Sequence, residues 1–177
     1  MNVRDKSSEE RGAIRSIHEA AFERPDEADL VGRLHDEGVV LASLVAELEE
    51  RMVGHILFSR MWIETDTGTV SAVALAPLAV LPEQQRQGIG GLLIRHGLHR
   101  LRGRGEQTVI VVGHPDYYPR FGFSTDTARS LASPFPVEAF MALELPSSRR
   151  VACDSPSSST FQSSTRKWLW RHHTAWT

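Results

Sequence analysis

The chain has 177 residues, of which 41% are apolar and 24% charged, as is usual for one globular domain. A formal charge of −2 argues against a nucleic-acid partner. The single cysteine excludes an intrachain disulfide and favours a reducing compartment. The N-terminus lacks the apolar core of a signal peptide, and no stretch is long and apolar enough to cross a bilayer. We therefore expect a cytoplasmic protein with no membrane partner.

Two amphipathic helices are predicted near the N-terminus. Ser7 and Glu10 have the spacing of a capping box, and apolar residues follow at helical period as far as Phe22. Pro25 begins a second helix, which Gly38 ends.

Three consecutive strands are predicted next, over residues 39–47, 52–63 and 69–80. Pro77 interrupts the third strand. Because proline cannot donate to a strand ladder, we expect a bulge or a splayed edge at this point.

The second half of the domain alternates between helices and strands. The pattern predicts a helix over 91–104, a buried strand over 108–112, a short helix over 116–121 and a last strand over 139–145. Together with the first half, this order predicts a mixed α/β layer fold.

Residues 146–177 differ sharply in composition from the domain formed by residues 1–145. This tail is rich in serine and basic residues and has no clear hydrophobic period, so we expect it to be disordered or loosely docked. Its composition favours a non-functional end over a basic, aromatic contact site.

The most informative segment is Gln85 to Gly90, which joins a predicted strand to the start of a predicted helix. Helix starts carry unpaired N–H groups and partial positive charge, and glycines let the backbone approach a bulky anion. Leu93 stands where a dinucleotide fingerprint needs its third glycine, and no Gly-Lys-Ser/Thr of a P-loop is present. The segment therefore predicts a pyrophosphate site of another kind.

The spacing Gln85-x-x-Gly88-x-Gly90 resembles the coenzyme A loop of the GCN5-related N-acetyltransferases (GNAT). Downstream, Tyr118 to Phe123 is similar to the Tyr-x-x-x-Gly-Phe signature of the same family. The resemblance covers about residues 3–145. It implies a GNAT fold, a central twisted mixed sheet of about six to seven strands with one splayed pair, flanked by about four helices.

The resemblance also implies the cofactor and the residues that hold it. Acetyl-CoA is the expected co-substrate, with the backbone around Val80 pairing with its pantetheine arm. Arg86 stands where relatives often have another glycine, and its charge either contacts phosphate or points into solvent. The full set of residues expected to bind the co-substrate is Leu78, Ala79, Val80, Gln85, Arg86, Gln87, Gly88, Ile89, Gly90, Gly91 and Tyr118.

For catalysis, the resemblance places the Leu78 amide at the acetyl carbonyl and Tyr118 as the general acid for the departing thiolate. The general base stays open among His55, His114, Glu64 and ordered water, since the central strand carries no glutamate. No metal site is expected, because no carboxylate or cysteine lies near His96 and His99 of the helix predicted over 91–104.

The expected function is acetyl transfer to a primary amine of a small molecule or protein, directly within a ternary complex. The alternative is a catalytically weak acetyl-CoA sensor or regulatory module. Many relatives are dimers, so a homodimer is possible, and the amine acceptor is not specified by any motif.

Overall fold

The computed structural model describes residues 1–66 and 68–146, together with the backbone of 166–169. Four helices are present in these residues: α1 (Arg11–Phe22), α2 (Asp26–Asp36), α3 (Ile89–Gly103) and α4 (Thr125–Ala128). The strands are β1 (Asn2–Asp5), β2 (Val40–Leu48), β3 (Arg51–Thr65), β4 (Gly68–Val80), β5 (Thr108–Val112), β6 (Leu131–Ala132), β7 (Phe140–Glu144) and β8 (Arg166–Leu169).

The main sheet has the order β1-β2-β3-β4-β5-β7. All neighbours in this order are antiparallel except β4 and β5, which are parallel. The backbone of β8 adds to the free end of β3 beside Trp62 and Ile63. The expected mixed α/β fold with a splayed pair is therefore confirmed.

The parallel pair β4 and β5 separates soon after it begins. Within the described chain, the pairing is limited to Val73 with Val109 and Ala74 with Ile110. β4 then continues for six residues to Val80, which corresponds to about 20 Å of strand without β5 beside it.

The predicted irregularity at Pro77 lies within this unpaired part of β4. Ile56 of β3 pairs with Leu78, but Phe58 pairs with Leu75, so β4 holds one residue more than β3 between the two pairs. This is a β-bulge, and a bulge redirects the backbone groups that follow it.

Side chains alternate across β3 and cover both faces of the sheet. Phe58 packs on α3, where its ring fills the space that a Cβ atom on Gly97 would need. On the other face, Leu57 packs in a cluster with Ile14 of α1 and Leu30 of α2. The core thus fixes α3 over one face and the two N-terminal helices over the other.

Most predicted elements are present within two residues of their expected ends. The capping box is formed, since the Ser7 amide donates to the Glu10 carboxylate at 2.6 Å. The short strands β1 and β6 were not predicted, because neither has enough residues to show a period. Of the tail, only Pro146 and the backbone of β8 lie among the described residues. No helix in the described part is long and apolar enough to span a bilayer.

Candidate active site

A cavity of about 730 Å³ opens where β4 and β5 separate. One wall is formed by Leu78 and Val80 of β4, and another by the loop after β4 and the first turns of α3. The segment after β5, from His114 to Phe121, supplies the rest of the lining. The two motifs singled out in the sequence therefore meet around one cavity.

The start of α3 presents backbone donors to this cavity. Gly88 is the N-cap residue with φ of 85°, a left-handed conformation that glycine adopts without steric cost. The amides of Ile89, Gly90 and Gly91 belong to the first helical turn, so the helix's own hydrogen-bond ladder does not use them. They can bind an anion such as a diphosphate.

The loop before α3 also contains a strained residue. Arg86 has φ of 61°, although its side chain carries a Cβ atom. This conformation explains why glycine suits the position and why arginine there has an energetic cost.

The glycines at the start of α3 leave space for aromatic side chains of the segment after β5. A Cβ atom added to Gly90 would lie 2.6 Å from the hydroxyl oxygen of Tyr117. One added to Gly91 would lie 3.2 Å from the ring of Phe121. Glycine at both positions thus lets the aromatic segment approach the helix start.

Tyr118, the predicted general acid, is held beside the cavity and does not line it. Its ring packs edge-on against Tyr117 and Phe123, with centroids 5.2 and 5.8 Å away. Gly113 makes room for this ring, since a Cβ atom there would lie 2.2 Å from Cε2 of Tyr118. Burial, and secondarily Tyr117, raise the pKa of the Tyr118 phenol, so the hydroxyl keeps its proton at neutral pH.

Eight of the eleven predicted co-substrate residues line the cavity: Leu78, Val80, Gln85, Arg86, Gly88, Ile89, Gly90 and Gly91. Ala79 does not, since it is buried opposite His55 of β3. Gln87 is exposed, and its side-chain amide donates to the Glu83 carbonyl at 3.3 Å. The side chain of Gln85 donates to the Val80 carbonyl at 3.1 Å.

The three candidate bases lie in different surroundings. His114 is exposed and lines the cavity. Glu64 pairs with Thr69, nine residues before Leu78 in β4 and therefore roughly 30 Å away along the strand.

His55 is fully buried. Its Nδ1 lies 2.8 Å from Nε2 of His18, and its Nε2 lies 2.8 Å from the Ser43 hydroxyl oxygen. Burial lowers the pKa of His55 well below its ordinary value, with a smaller contribution from His18.

Sequence reasoning missed several residues that line the cavity, namely Gln84, Tyr117, Arg120 and Phe121. Arg120 and Phe121 belong to the second motif and Tyr117 directly precedes it, so the motif itself was the available signal. Its position beside Gly90 and Gly91 depends on how a loop packs on a helix, which spacing along the chain does not show.

A separated parallel strand pair with an anion-binding helix start at its mouth matches the acetyltransferase architecture implied by the motifs. A family model described as an acetyltransferase (GNAT) domain matches residues 2–125. The chain belongs to this family. Its relatives include YjhQ of Escherichia coli K12, described as an uncharacterized N-acetyltransferase, with 43% identity over 77% of this chain and 76% of the relative.

Solved structures support the same assignment. The GNAT family N-acetyltransferase YhbS of Escherichia coli, determined in complex with CoA, has a TM-score of 0.73 and 29% identity, covering 81% of this chain and 80% of that one. A GNAT family acetyltransferase from Brucella melitensis, determined in complex with acetyl-CoA, has a TM-score of 0.68 and 32% identity, covering 82% and 91%.

Proposed function

We propose that this protein transfers an acetyl group from acetyl-CoA to a primary amine of a small molecule or protein. The proposal rests on the cavity between β4 and β5. There the first-turn amides of α3 face the end of β4, which no longer pairs with β5. An extended pantetheine arm would take the place of the missing strand, and the amides would bind the diphosphate. The CoA and acetyl-CoA complexes of the two structural relatives support this assignment.

Transfer would occur directly, with both substrates bound together. The amine nitrogen forms a bond to the thioester carbonyl carbon, the carbon–sulfur bond breaks, and the sulfur leaves as a thiol. The Leu78 amide directly follows the β-bulge of β4, at the residue where the register with Ile56 of β3 resumes. We assign it to the oxyanion that forms on the acetyl oxygen.

Two proton transfers complete the reaction. Tyr118 would donate its phenolic proton to the departing sulfur, because a phenol is protonated at neutral pH and can give up its proton as negative charge builds on the sulfur. The geometry favours His114 for the amine proton, because it lines the cavity whereas His55 is buried away from solvent. Water is the alternative carrier of that proton.

A titration of the purified protein with acetyl-CoA, followed by thiol release with a panel of amines, tests the proposal. We expect acetyl-CoA binding, and thiol release that depends on at least one amine. A protein that binds no acetyl-CoA at millimolar concentration would overturn the proposal.

A second candidate function is acetyl-CoA sensing without transfer. One observation favours it: among the described residues that line the cavity, none is a carboxylate that could serve as general base for the amine. Binding of acetyl-CoA without turnover on any amine would support this function. Location in the cytoplasm and assembly as a homodimer remain predictions.

A further inference from the structure

The cavity between β4 and β5 is lined by basic side chains. Three arginines, Arg86, Arg95 and Arg120, line it, and no aspartate or glutamate does so among the described residues. None of the three forms an ion pair with another described residue. The chain as a whole nevertheless carries more acidic than basic groups, 22 against 20. Unpaired cations gathered at one cavity indicate a ligand with several negative charges.

Arg95 adds its charge to the start of α3. It lies one turn along the helix, and its Nη1 comes within 3.6 Å of the position that a Cβ atom on Gly91 would occupy. Its guanidinium also lies 5.8 Å from the centre of the Phe121 ring. Arg95 therefore reinforces the same anion site as the amides of Gly90 and Gly91.

Arg120 lies on the aromatic side of the cavity and is held in a fixed orientation. Its guanidinium carbon is 4.4 Å from the centre of the Tyr117 ring, and its Nε donates to the Tyr117 carbonyl at 3.1 Å. Stacking together with this one hydrogen bond leaves the two terminal nitrogens, the bidentate end of the group, available for a ligand.

The guanidinium of Arg120 lies close to the amides at the start of α3. Arg120 stacks on the face of the Tyr117 ring, and the hydroxyl of that ring contacts Gly90. One aromatic ring therefore separates Arg120 from the first-turn amides of α3. Coenzyme A bears its diphosphate and its third phosphate on one ribose. The protein groups that bind these phosphates must therefore lie close together, as Arg120 and the first-turn amides of α3 do.

We propose that Arg120 binds the 3′-phosphate of coenzyme A, while Arg95 and the α3 amides bind the diphosphate. The inference rests on the proposed function and adds specificity to it: the protein distinguishes CoA from 3′-dephospho-CoA. A purely structural Arg120, which only orients Tyr117, would affect both ligands equally.

Calorimetric titrations of the full chain with CoA and with 3′-dephospho-CoA, at one ionic strength, test the assignment. We expect wild-type protein to bind CoA at least about tenfold more tightly, the contribution of one charge-assisted contact. Arg120→Gln should bring the ratio of the two dissociation constants to about two or below, chiefly by weakening CoA. The ratio within one variant does not depend on the fraction of protein that is folded.

Two further variants serve as controls. Arg95→Gln should weaken both ligands by a similar factor and leave their ratio unchanged. Arg129→Gln removes an exposed arginine that pairs with Asp126 outside the cavity, and it should change neither affinity.

Equal binding of the two ligands by wild-type protein would overturn the inference and leave the proposed function intact. A ratio that survives Arg120→Gln would also overturn it. Failure of wild-type protein to bind either ligand would instead contradict the proposed function itself.

Discussion

The hydroxyl of Tyr117 occupies the space beside Gly90 where any other residue would place its Cβ atom, only 2.6 Å from that position. This contact joins the start of α3, which holds the first motif of the site, to the turn after β5, which leads into the second. It makes a side chain at residue 90 incompatible with the present position of Tyr117.

Gly90→Ala should therefore weaken acetyl-CoA binding. The new methyl group would displace Tyr117 and crowd the amides that face the cavity, and we expect a loss of about tenfold in affinity. Isothermal titration calorimetry measures the effect.

Gly103→Ala is the matched control, because it lies in the same helix and nothing surrounds its Cβ position within 4 Å. It should raise helix stability by up to about 1 kcal/mol and leave acetyl-CoA affinity unchanged. Equal affinities for the two variants would show that the contact with Tyr117 does not shape the site.

The fold was largely predictable because its signals are local. The strand before Gln85, the glycines after it and the apolar face of α3 each depend on residues within one element. The positions of Tyr117 and Arg120 could not be predicted, because they depend on a loop after β5 packing against a helix that precedes β5 in sequence. The buried pair of His18 and His55 was equally hidden, since the two residues lie 37 positions apart.

Arg86→Gly should change stability and affinity in opposite directions. Glycine relieves the left-handed strain at φ of 61°, and we expect a gain of about 1 kcal/mol in the free energy of unfolding. If the guanidinium contacts phosphate, acetyl-CoA affinity should fall by about tenfold, and less at high salt. Thermal unfolding and calorimetry measure the two effects.

Glu50→Gly provides the control for this prediction. Glu50 has φ of 63° and is exposed in the turn between β2 and β3, where it does not line the cavity. It should gain similar stability without any change in affinity. An Arg86→Gly variant that also kept its full affinity would place the arginine in solvent, without a role in binding.

Tyr118→Phe should slow acetyl transfer at saturating acetyl-CoA while changing the Kd for acetyl-CoA by less than about twofold. A general acid contributes on the order of 100-fold or more to the rate. Tyr117→Phe removes the neighbouring hydroxyl and should change the Kd instead of the rate of transfer. Single-turnover thiol release, with an amine that supports turnover, separates the two, and identical rates for both variants would remove Tyr118 from the acid role.

The stability of the protein should fall as the pH drops from about 6.5 to about 4. Burial lowers the pKa of His18 from its ordinary 6.5 to about 4, and it lowers the pKa of His55 as well. Between these pH values the unfolded chain binds protons that the native state does not, so stability rises with pH across the window and is lost as the pH falls. The shift at His18 alone corresponds to a loss on the order of 3 kcal/mol.

Urea unfolding measured at intervals from pH 4 to pH 7 tests this dependence. His18→Gln cannot take up the proton, so its stability should depend less steeply on pH even if the variant is less stable at pH 7. His96→Gln removes an exposed histidine of α3 and should keep the wild-type slope. A slope that His18→Gln leaves unchanged would mean that the buried pair does not govern the acid sensitivity of the fold.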